Sequence, residues 1–458
     1  MNLKAKEGLS VSDMIVVGFA LFSMFFGAGN TVFPPYIGME SGTSWFTGFL
    51  MFFIGDCGLA LMGCFALLRM GSTDAVFNRL GATVGKILVA ICLLCVGPFI
   101  AVPRTAATTY ELGIAPNISG IPTVLFSAIF FVIVLALTIK QTAVVDIVGK
   151  ILTPLLLLGL AVIIIMGIIH PIGEITAAQI ENVAGSGLKN GYQTLDAIGA
   201  VPTGMLALQS IMAKNYSKKK ETATMAGASI VCGVLLLLVY MGLAYLGATV
   251  SGIYTSEISR SELILAIVYA IMGKAGTIIF GIVVGLACLT TAIGLTGIVG
   301  GFFSETIFKG KVSYKLIVIV MCVFSAVVSN LGLDRIISIA GPILDLVYPP
   351  VVTTIFISVA IPFVHDYISR FAAGGALVWS ALCSIDAMTS ATIDFLHKTP
   401  FFEVGLSWII PTIICGLIGF AVAKATGAES SSHAAEANPG PPSVTTMSGG
   451  AMRESSDR

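Results

Sequence analysis

Apolar runs of helical length follow one another along almost the whole chain. They lie near residues 12–37, 43–68, 84–111, 121–139, 144–169, 190–213, 224–250, 276–304, 313–332, 341–364, 371–392 and 404–424. Polar residues gather in the stretches between them. Each run approaches or exceeds the ~20 residues that cross a hydrocarbon core, so the pattern predicts an all-α polytopic membrane protein of about twelve transmembrane helices. A shorter amphipathic stretch, Ser261 to Met272, precedes the eighth run and reads as a helix in an external loop.

Two runs are interrupted. The first reads Gly27-Ala28-Gly29-Asn30 and then Pro34-Pro35 after only thirteen apolar positions, Met14 to Phe26. Thirteen residues rise about 20 Å, roughly two-thirds of a hydrocarbon core. An unpaired backbone group in hydrocarbon costs several kcal/mol, so a break there survives only where it lines a polar cavity. The sixth run reads Gly191-Tyr192-Gln193-Thr194-Leu195-Asp196-Ala197-Ile198-Gly199-Ala200-Val201-Pro202-Thr203-Gly204. Here Gly199 to Gly204 is expected to form the second break, with Asp196 just before it. Either break alone also fits a proline kink. Breaks five spans apart are what an inverted repeat of five plus five helices produces, with two further helices at the end.

Composition supports a membrane solvent. The 458 residues are 56% hydrophobic and 10% charged, with net charge zero, and mean hydropathy is +0.99. Soluble domains carry about 25% charge. The neutral balance points to no nucleic-acid partner. The first run lacks a small-residue cleavage site and reads as a retained span. All nine cysteines fall in apolar runs with no metal-ligand spacing, which fits helix packing. Lys and Arg fix the orientation. With both termini cytoplasmic, the inner loops carry Lys4, Lys6, Arg69, Arg79, Lys86, Lys140, Lys150, Lys214, Lys218 to Lys220, Lys309, Lys311, Lys315 and Arg370. The outer loops carry only Lys189, Arg260, Lys274, Arg335 and Lys398.

The chemistry at a broken helix is set by its free ends. N–H groups of one half-helix attract an anion and C=O groups of the other attract a cation, so a zwitterionic amino acid satisfies both. Gly27 and Gly29 allow a carboxylate close to the backbone, with Ala28 between them, and Asn30 can cap the second half-helix. Asp196 either faces the substrate ammonium or assists a cation, or else caps a helix. In the eighth run Ala287, Thr290 and Thr291 share a face at i, i+3 and i+4. Uncharged oxygens suit a monovalent cation such as Na⁺; taken alone, the threonines also fit packing with each hydroxyl bonded to the i−4 carbonyl. Arg104, deep in the third run, requires a partner or water. Asp56, Glu111 and Asp196 are its candidates, unless Arg104 and Glu111 both reach the outer surface. Asp345 is a weak candidate for a gate. The four histidines sit at run ends or in the tail, which favours Na⁺ over H⁺ as coupling ion.

From about Ser12 to Lys424 the chain resembles the branched-chain amino acid:cation symporters of bacteria, the BrnQ type. The likeness rests on Phe25-Phe26-Gly27-Ala28-Gly29-Asn30 with Phe33-Pro34-Pro35, on Gly97-Pro98-Phe99-Ile100-Ala101-Val102-Pro103-Arg104-Thr105-Ala106, on Gly191-Tyr192 with Asp196-Ala197, and on Leu286 to Leu295. It implies a LeuT-like fold with discontinuous helices 1 and 6, in the bacterial cytoplasmic membrane, importing Leu, Ile and Val by symport with Na⁺. It also implies a sodium site joining the carbonyls of Ser23 and Phe26 to Ala287 C=O and the hydroxyls of Thr290 and Thr291. The substrate residues expected are Gly27, Ala28, Gly29, Asn30, Asp196 and Gly199. Two positions depart from the pattern: Pro202-Thr203-Gly204 replaces an Ala-Phe-Gly-like end to the sixth-helix break, and Asp56 is an unanticipated charge.

The expected organisation is a cytoplasmic N-terminus (1–11), a transporter domain (12–425) and a disordered cytoplasmic tail (426–458). Within the domain, repeat one spans about 12–170, repeat two about 190–364, and two extra helices 371–424. Besides the amino acid, Na⁺ and the lipid bilayer, no partner or cofactor is expected. Rival readings are a proton-coupled carrier and a carrier of another neutral amino acid. A membrane-embedded enzyme lacks support, because the chain has no His-Glu-x-x-His, no Gly-x-Ser-x-Gly and no paired carboxylates at catalytic spacing. A channel has no use for half-helices shaped to a zwitterion.

Overall fold

A computed structural model describes residues 11–139, 153–214, 216–362, 364–389 and 393–426. The N-terminal segment, the start of the fifth predicted span and nearly all of the predicted tail lie outside these residues. Within the predicted spans most of the described residues are helical. In chain order the main helices are α1 (Val11–Phe25), α2 (Ala28–Ser41), α3 (Trp45–Phe53), α4 (Leu59–Met70), α5 (Ala82–Leu94), α6 (Ala101–Thr109), α7 (Thr123–Thr138), α8 (Thr153–Ile169), α9 (Val183–Tyr192), α10 (Asp196–Met212), α11 (Lys218–Ala248), α12 (Arg260–Phe302), α13 (Tyr314–Val328), α14 (Leu333–Ala360), α15 (Asp366–Thr389) and α16 (Ile409–Ala425).

Seven continuous helical runs among the described residues are long and apolar enough to cross a membrane, and α9 with α10, bent by 41°, forms an eighth. The run from α2 to α4 turns at Gly42, which takes φ +47°. An added Cβ on Gly48 would lie 3.2 Å from Ile37, so α3 folds back along α2. The outer faces of α7, α13 and α16 are apolar and exposed, as at Val124, Val132, Val323, Val327, Leu417 and Phe420. An exposed apolar surface of this extent is matched by lipid, not water.

The stretch expected as a helix before the eighth span, Ser261 to Met272, is helical but forms the first part of α12. Ser259 caps its start, accepting from Glu262 N–H at 3.2 Å while the Glu262 carboxylate accepts back from Ser259 N–H. Gly273 then leaves helical geometry (φ +60°, ψ −150°) and kinks the helix. Four π-type turns interrupt otherwise α-helical runs: Ile54–Gly58, Cys95–Phe99, Tyr110–Ile114 and Phe303–Ile307.

Without water, helix association depends on close packing of small residues. The contact of α11 with α2 is the tightest example. A Cβ on Gly247 would stand 1.8 Å from the Pro35 carbonyl oxygen, and one on Gly38 would stand 1.9 Å from that of Ala244. All nine cysteines are free and none is exposed, which agrees with packing roles.

Polar contacts tie together the two ends of the bundle. At the end bearing Arg260, its guanidinium lies over the rings of Tyr36 (4.5 Å) and Phe33 (5.3 Å) and pairs with Asp334 at 3.7 Å. Glu111 accepts from the Leu333 N–H at the start of α14 (2.8 Å) and from Ser261 (2.7 Å). At the opposite end Lys214 pairs with Asp13 at 2.7 Å.

Candidate functional site

The centre of the bundle holds the two broken helices, and the breaks are shorter than the sequence pattern indicates. Helix α1 ends at Phe25 and α2 begins at Ala28, so only Phe26 and Gly27 are irregular. Gly27 adopts an extended conformation as N-cap, and its N–H donates to Asn30 Oδ1 at 3.2 Å. Pro34 and Pro35 lie inside α2 and do not belong to the break. They are the seventh and eighth residues of α2, beyond its first turn, so each removes one intrahelical bond, to the carbonyls of Asn30 and Thr31.

The second break is displaced from its expected place. Gly199 to Gly204 is helical, within α10; the interruption is Gln193-Thr194-Leu195. Leu195 takes a left-handed backbone conformation (φ +74°), strained for a branched side chain. Asp196 therefore follows the break, as the first residue of α10. Pro202 lies six residues into the helix without ending it. The glycines serve as small packing positions: a Cβ on Gly204 would meet Cys64 and Leu67 at 3.3 Å.

Arg104 explains how the second break is held. It is 3% exposed, and its Nη atoms donate to the carbonyls of Gln193 (2.7 Å) and Thr194 (3.1 Å). These are the free acceptors at the C-terminal end of α9, where a cation is favoured by the helix dipole. None of Asp56, Glu111 and Asp196 pairs with Arg104 among the described residues, and neither does Arg104 reach the surface. Glu111 is committed elsewhere, to Leu333 and Ser261. The Arg104 Nε is buried without a hydrogen-bond partner.

Asn30, Asp56 and Asp196 converge. Asn30 Nδ2 donates to Asp196 Oδ2 at 2.9 Å, lies 3.3 Å from Asp56 Oδ2, and contacts the Tyr240 hydroxyl of α11. The Thr194 hydroxyl stands 2.7 Å from both Asp56 Oδ1 and the Gly191 carbonyl. Asp56 is brought inward by the π-type turn Ile54–Gly58 and is fully buried. Tyr240 and Thr194 were not singled out from the sequence: Tyr240 is one aromatic in a uniformly apolar helix, and Thr194 looked like an ordinary residue before the break.

The first break adjoins a different oxygen cluster. Thr291 Oγ1 donates to the Ser23 carbonyl at 3.1 Å and lies 3.5 Å from that of Phe26. Thr290 Oγ1 donates to the Ala287 carbonyl at 2.9 Å and stands 3.0 Å from Ser23 Oγ. Ser23, Phe26, Ala287, Thr290 and Thr291 thus come together where the carbonyl end of α1 meets α12. The Ser23 hydroxyl is a further oxygen that carbonyl-based reasoning omits. No cluster of three His, Cys, Asp or Glu suited to a metal occurs among the described residues.

Between the two breaks lies a narrow cavity of ≈ 30 Å³, walled by Gly27, Ala28, Asn30, Arg104, Asp196, Gly199 and Thr291 among others. Gly29 is not on this wall; an added Cβ there would stand 2.8 Å from Arg104 Nη2, so its smallness makes room for the guanidinium. Adjacent residues of α10 and α12, including Pro202, Gln209, Gly294 and Gly297, line a vestibule of ≈ 570 Å³. Asp74 and Glu305 lie at the same end of the bundle as Lys214 and also line the vestibule. The vestibule lies toward the Lys214 end of the bundle, and the residues of α10 and α12 that line it are sequence neighbours of those that wall the cavity.

A family model described as branched-chain amino acid transport protein matches residues 10–426. The chain is 34% identical over 419 residues to the branched-chain amino acid transport system 3 carrier protein of Pseudomonas aeruginosa, covering 89% of this chain and 95% of that protein. It is 31% identical over 434 residues to the branched-chain amino acid permease BrnQ of Escherichia coli, covering 92% and 98%. It is likewise 31% identical over 432 residues to the permease BraB of Bacillus subtilis, covering 91% and 96%. Among solved structures it is similar to the substrate-bound outward-open state of a Na⁺-coupled sialic acid symporter (TM-score 0.58, 16% identity, 91% of this chain and 90% of that one). It is also similar to MhsT in complex with L-phenylalanine (TM-score 0.52, 17% identity, 89% and 98%). Identities this low carry the fold alone, that of the LeuT-like transporters. With a family model spanning nearly all of its helices and permeases aligned end to end, this chain is a membrane transporter and not an enzyme, and it belongs to the branched-chain amino acid transport protein family.

Proposed function

We propose that the protein imports Leu, Ile and Val by symport with Na⁺ through alternating access, from the bacterial inner membrane. The topology proposed is twelve spans with both termini cytoplasmic: α1–α2, α3–α4, α5–α6, α7 and α8 as one repeat, α9–α10 through α14 as its inverted counterpart, and α15 and α16 outside it. Alternation of chain direction supports this, since α1 and α9 then enter from opposite sides and both break at mid-depth. On the Lys/Arg bias the vestibule faces the cytoplasm, which makes the described conformation inward-facing.

The observation that carries ion coupling is the Ser23–Thr290–Thr291 oxygen cluster at the carbonyl end of α1, one residue from the cavity wall at Gly27. A cation held there would fix the end of α1 and so order the cavity next to it. Coupling of this kind is reciprocal: substrate must raise Na⁺ affinity by the factor by which Na⁺ raises substrate affinity. The free N–H end of α2 and the unpartnered Arg104 Nε suit the substrate carboxylate, and Asp196 its ammonium.

Uptake into proteoliposomes under imposed Na⁺ or H⁺ gradients, with labelled Leu, Ile, Val, Ala and Thr, tests both coupling and selectivity. Accumulation driven by H⁺ alone, or equal uptake of Ala and Leu, overturns the corresponding half of the proposal. Thr290→Ala combined with Thr291→Ala should shift the Na⁺ concentration for half-maximal uptake at least ~10-fold upward, with leucine affinity at saturating Na⁺ nearly unchanged. Gly27→Leu places its first carbon 3.2 Å from both Thr291 Cγ2 and Oγ1. It should abolish leucine binding while the protein still inserts; calorimetry showing normal binding by this variant would rule out the cavity as substrate site.

A further inference from the structure

The buried carboxyl pair cannot be accounted for with both acids ionised. Hydrogens are too few for the contacts observed. Thr194 has one hydroxyl hydrogen, yet its Oγ1 stands 2.7 Å from two acceptors, Asp56 Oδ1 and the Gly191 carbonyl. A carbonyl oxygen cannot donate, so the threonine hydrogen belongs to Gly191, and the contact with Asp56 Oδ1 then needs a hydrogen from Asp56 itself. Asn30 Nδ2 lies against both acids, at Asp196 Oδ2 and Asp56 Oδ2, and so holds the two carboxyl groups side by side; it also contacts the Tyr240 hydroxyl.

Charge gives the same answer independently. The groups around the pair are Tyr240 and Cys232 on α11, Cys57 beside Asp56, Tyr348 on α14 and Arg104 on α6. Only Arg104 is a cation, and two of its five N–H donors go to the carbonyls of Gln193 and Thr194, with none bonded to either acid. Its Nε is buried without a partner, on a residue that walls the same cavity, and calls for an anionic group of a ligand. Two carboxylates within reach of one amide nitrogen, with no cation bonded to either, do not both stay charged.

We propose that Asp56 and Asp196 hold one proton between them, carried on Asp56, and that the singly charged pair binds the ammonium group of the amino acid through Asp196. The proton comes from water and forms only the O–H bond on Asp56. With it, the pair carries one negative charge and Arg104 one positive charge, so the site is neutral overall, as a zwitterionic substrate requires. This inference rests on the cavity being the amino acid site, and it goes further by giving the two acids different states.

Isosteric substitutions separate the two roles. In D56N the amide N–H replaces the carboxyl O–H toward Thr194, and the carbonyl still accepts from Asn30. Leucine binding by calorimetry in Na⁺ buffer should stay within about threefold of wild type in D56N and fall at least ~100-fold in D196N. The infrared spectrum of the wild-type protein should contain a protonated-carboxyl C=O band that D56N lacks and D56E shifts; this readout needs no transport and holds on the wild type alone. D56N as damaging as D196N, with no such band in the wild type, overturns the shared proton. Normal binding by D196N overturns the ammonium contact. If Gly27→Leu also binds normally, the cavity reading has failed rather than the proton assignment.

Discussion

Arg104→Met should lose leucine transport almost completely while leaving a protein that inserts and migrates as a single species. The substitution keeps most of the apolar stem and removes both donors to the Gln193 and Thr194 carbonyls. Each buried acceptor left without a donor costs about 1–3 kcal/mol. A total near 3 kcal/mol against the ordered break corresponds to roughly 150-fold in binding. Arg104→Lys should recover part of the loss, because an ammonium reaches one carbonyl but cannot fork to two. Wild-type uptake by Arg104→Met would show that the second break does not need its guanidinium. The comparison with the first break gives the physical meaning. The carbonyl end of α1 meets hydroxyls and the proposed exchangeable cation, whereas the carbonyl end of α9 meets a cation covalently tied to the chain. On this reading one break opens and closes with ion binding, and the other is held permanently in order.

Gly247→Val should be the most damaging single substitution for folding. Its Cβ would fall 1.8 Å from the Pro35 carbonyl oxygen, and the obstacle is backbone, which no rotamer change can move. Separating α11 from α2 forfeits the small-residue contact that holds them together in lipid. Overpacking of this severity costs about 3 kcal/mol or more, and the apparent melting temperature should drop by roughly 10 °C. Gly374→Ala is the matched control. Its Cβ meets nothing within 4 Å inside α15, and it should be neutral or slightly stabilising. Thermal unfolding of the two variants in detergent, followed by tryptophan fluorescence or aggregation onset, separates steric cost from loss of glycine as such.

The helical class and most span positions were legible because the period and length of apolar runs depend on the solvent and hardly on tertiary detail. The first break was legible for a local reason: Gly27 and Gly29 flank a position where an apolar helix is too short to cross. Its extent was not, since α2 continues through Pro34 and Pro35 although each removes an intrahelical bond. The second break was misplaced for the opposite reason. Gly and Pro marked Gly199 to Gly204, but α10 absorbs them, while the real interruption falls on Gln193, Thr194 and Leu195. No local propensity singles out that tripeptide; Arg104, far away in sequence, holds it open. The partners of Arg104 are main-chain carbonyls and not carboxylates, and a main-chain carbonyl leaves no trace in a sequence. Asp56 was seen as an anomaly, but its meeting with Asp196, Asn30 and Tyr240 depends on which face each helix turns inward.

The π-type turn at Ile54–Gly58 bears on how such a site arises. A π turn is equivalent to one extra residue inserted into an α-helix, and it swings the following side chains by about 100°. Deleting a single residue from this turn would restore a regular helix that still spans the membrane, with Asp56 either lost or turned away from Asn30. The acid at the centre of the protein is thus separated from an unremarkable lipid-spanning helix by one codon, and a one-residue indel can create or erase its chemistry as surely as a substitution of the acid.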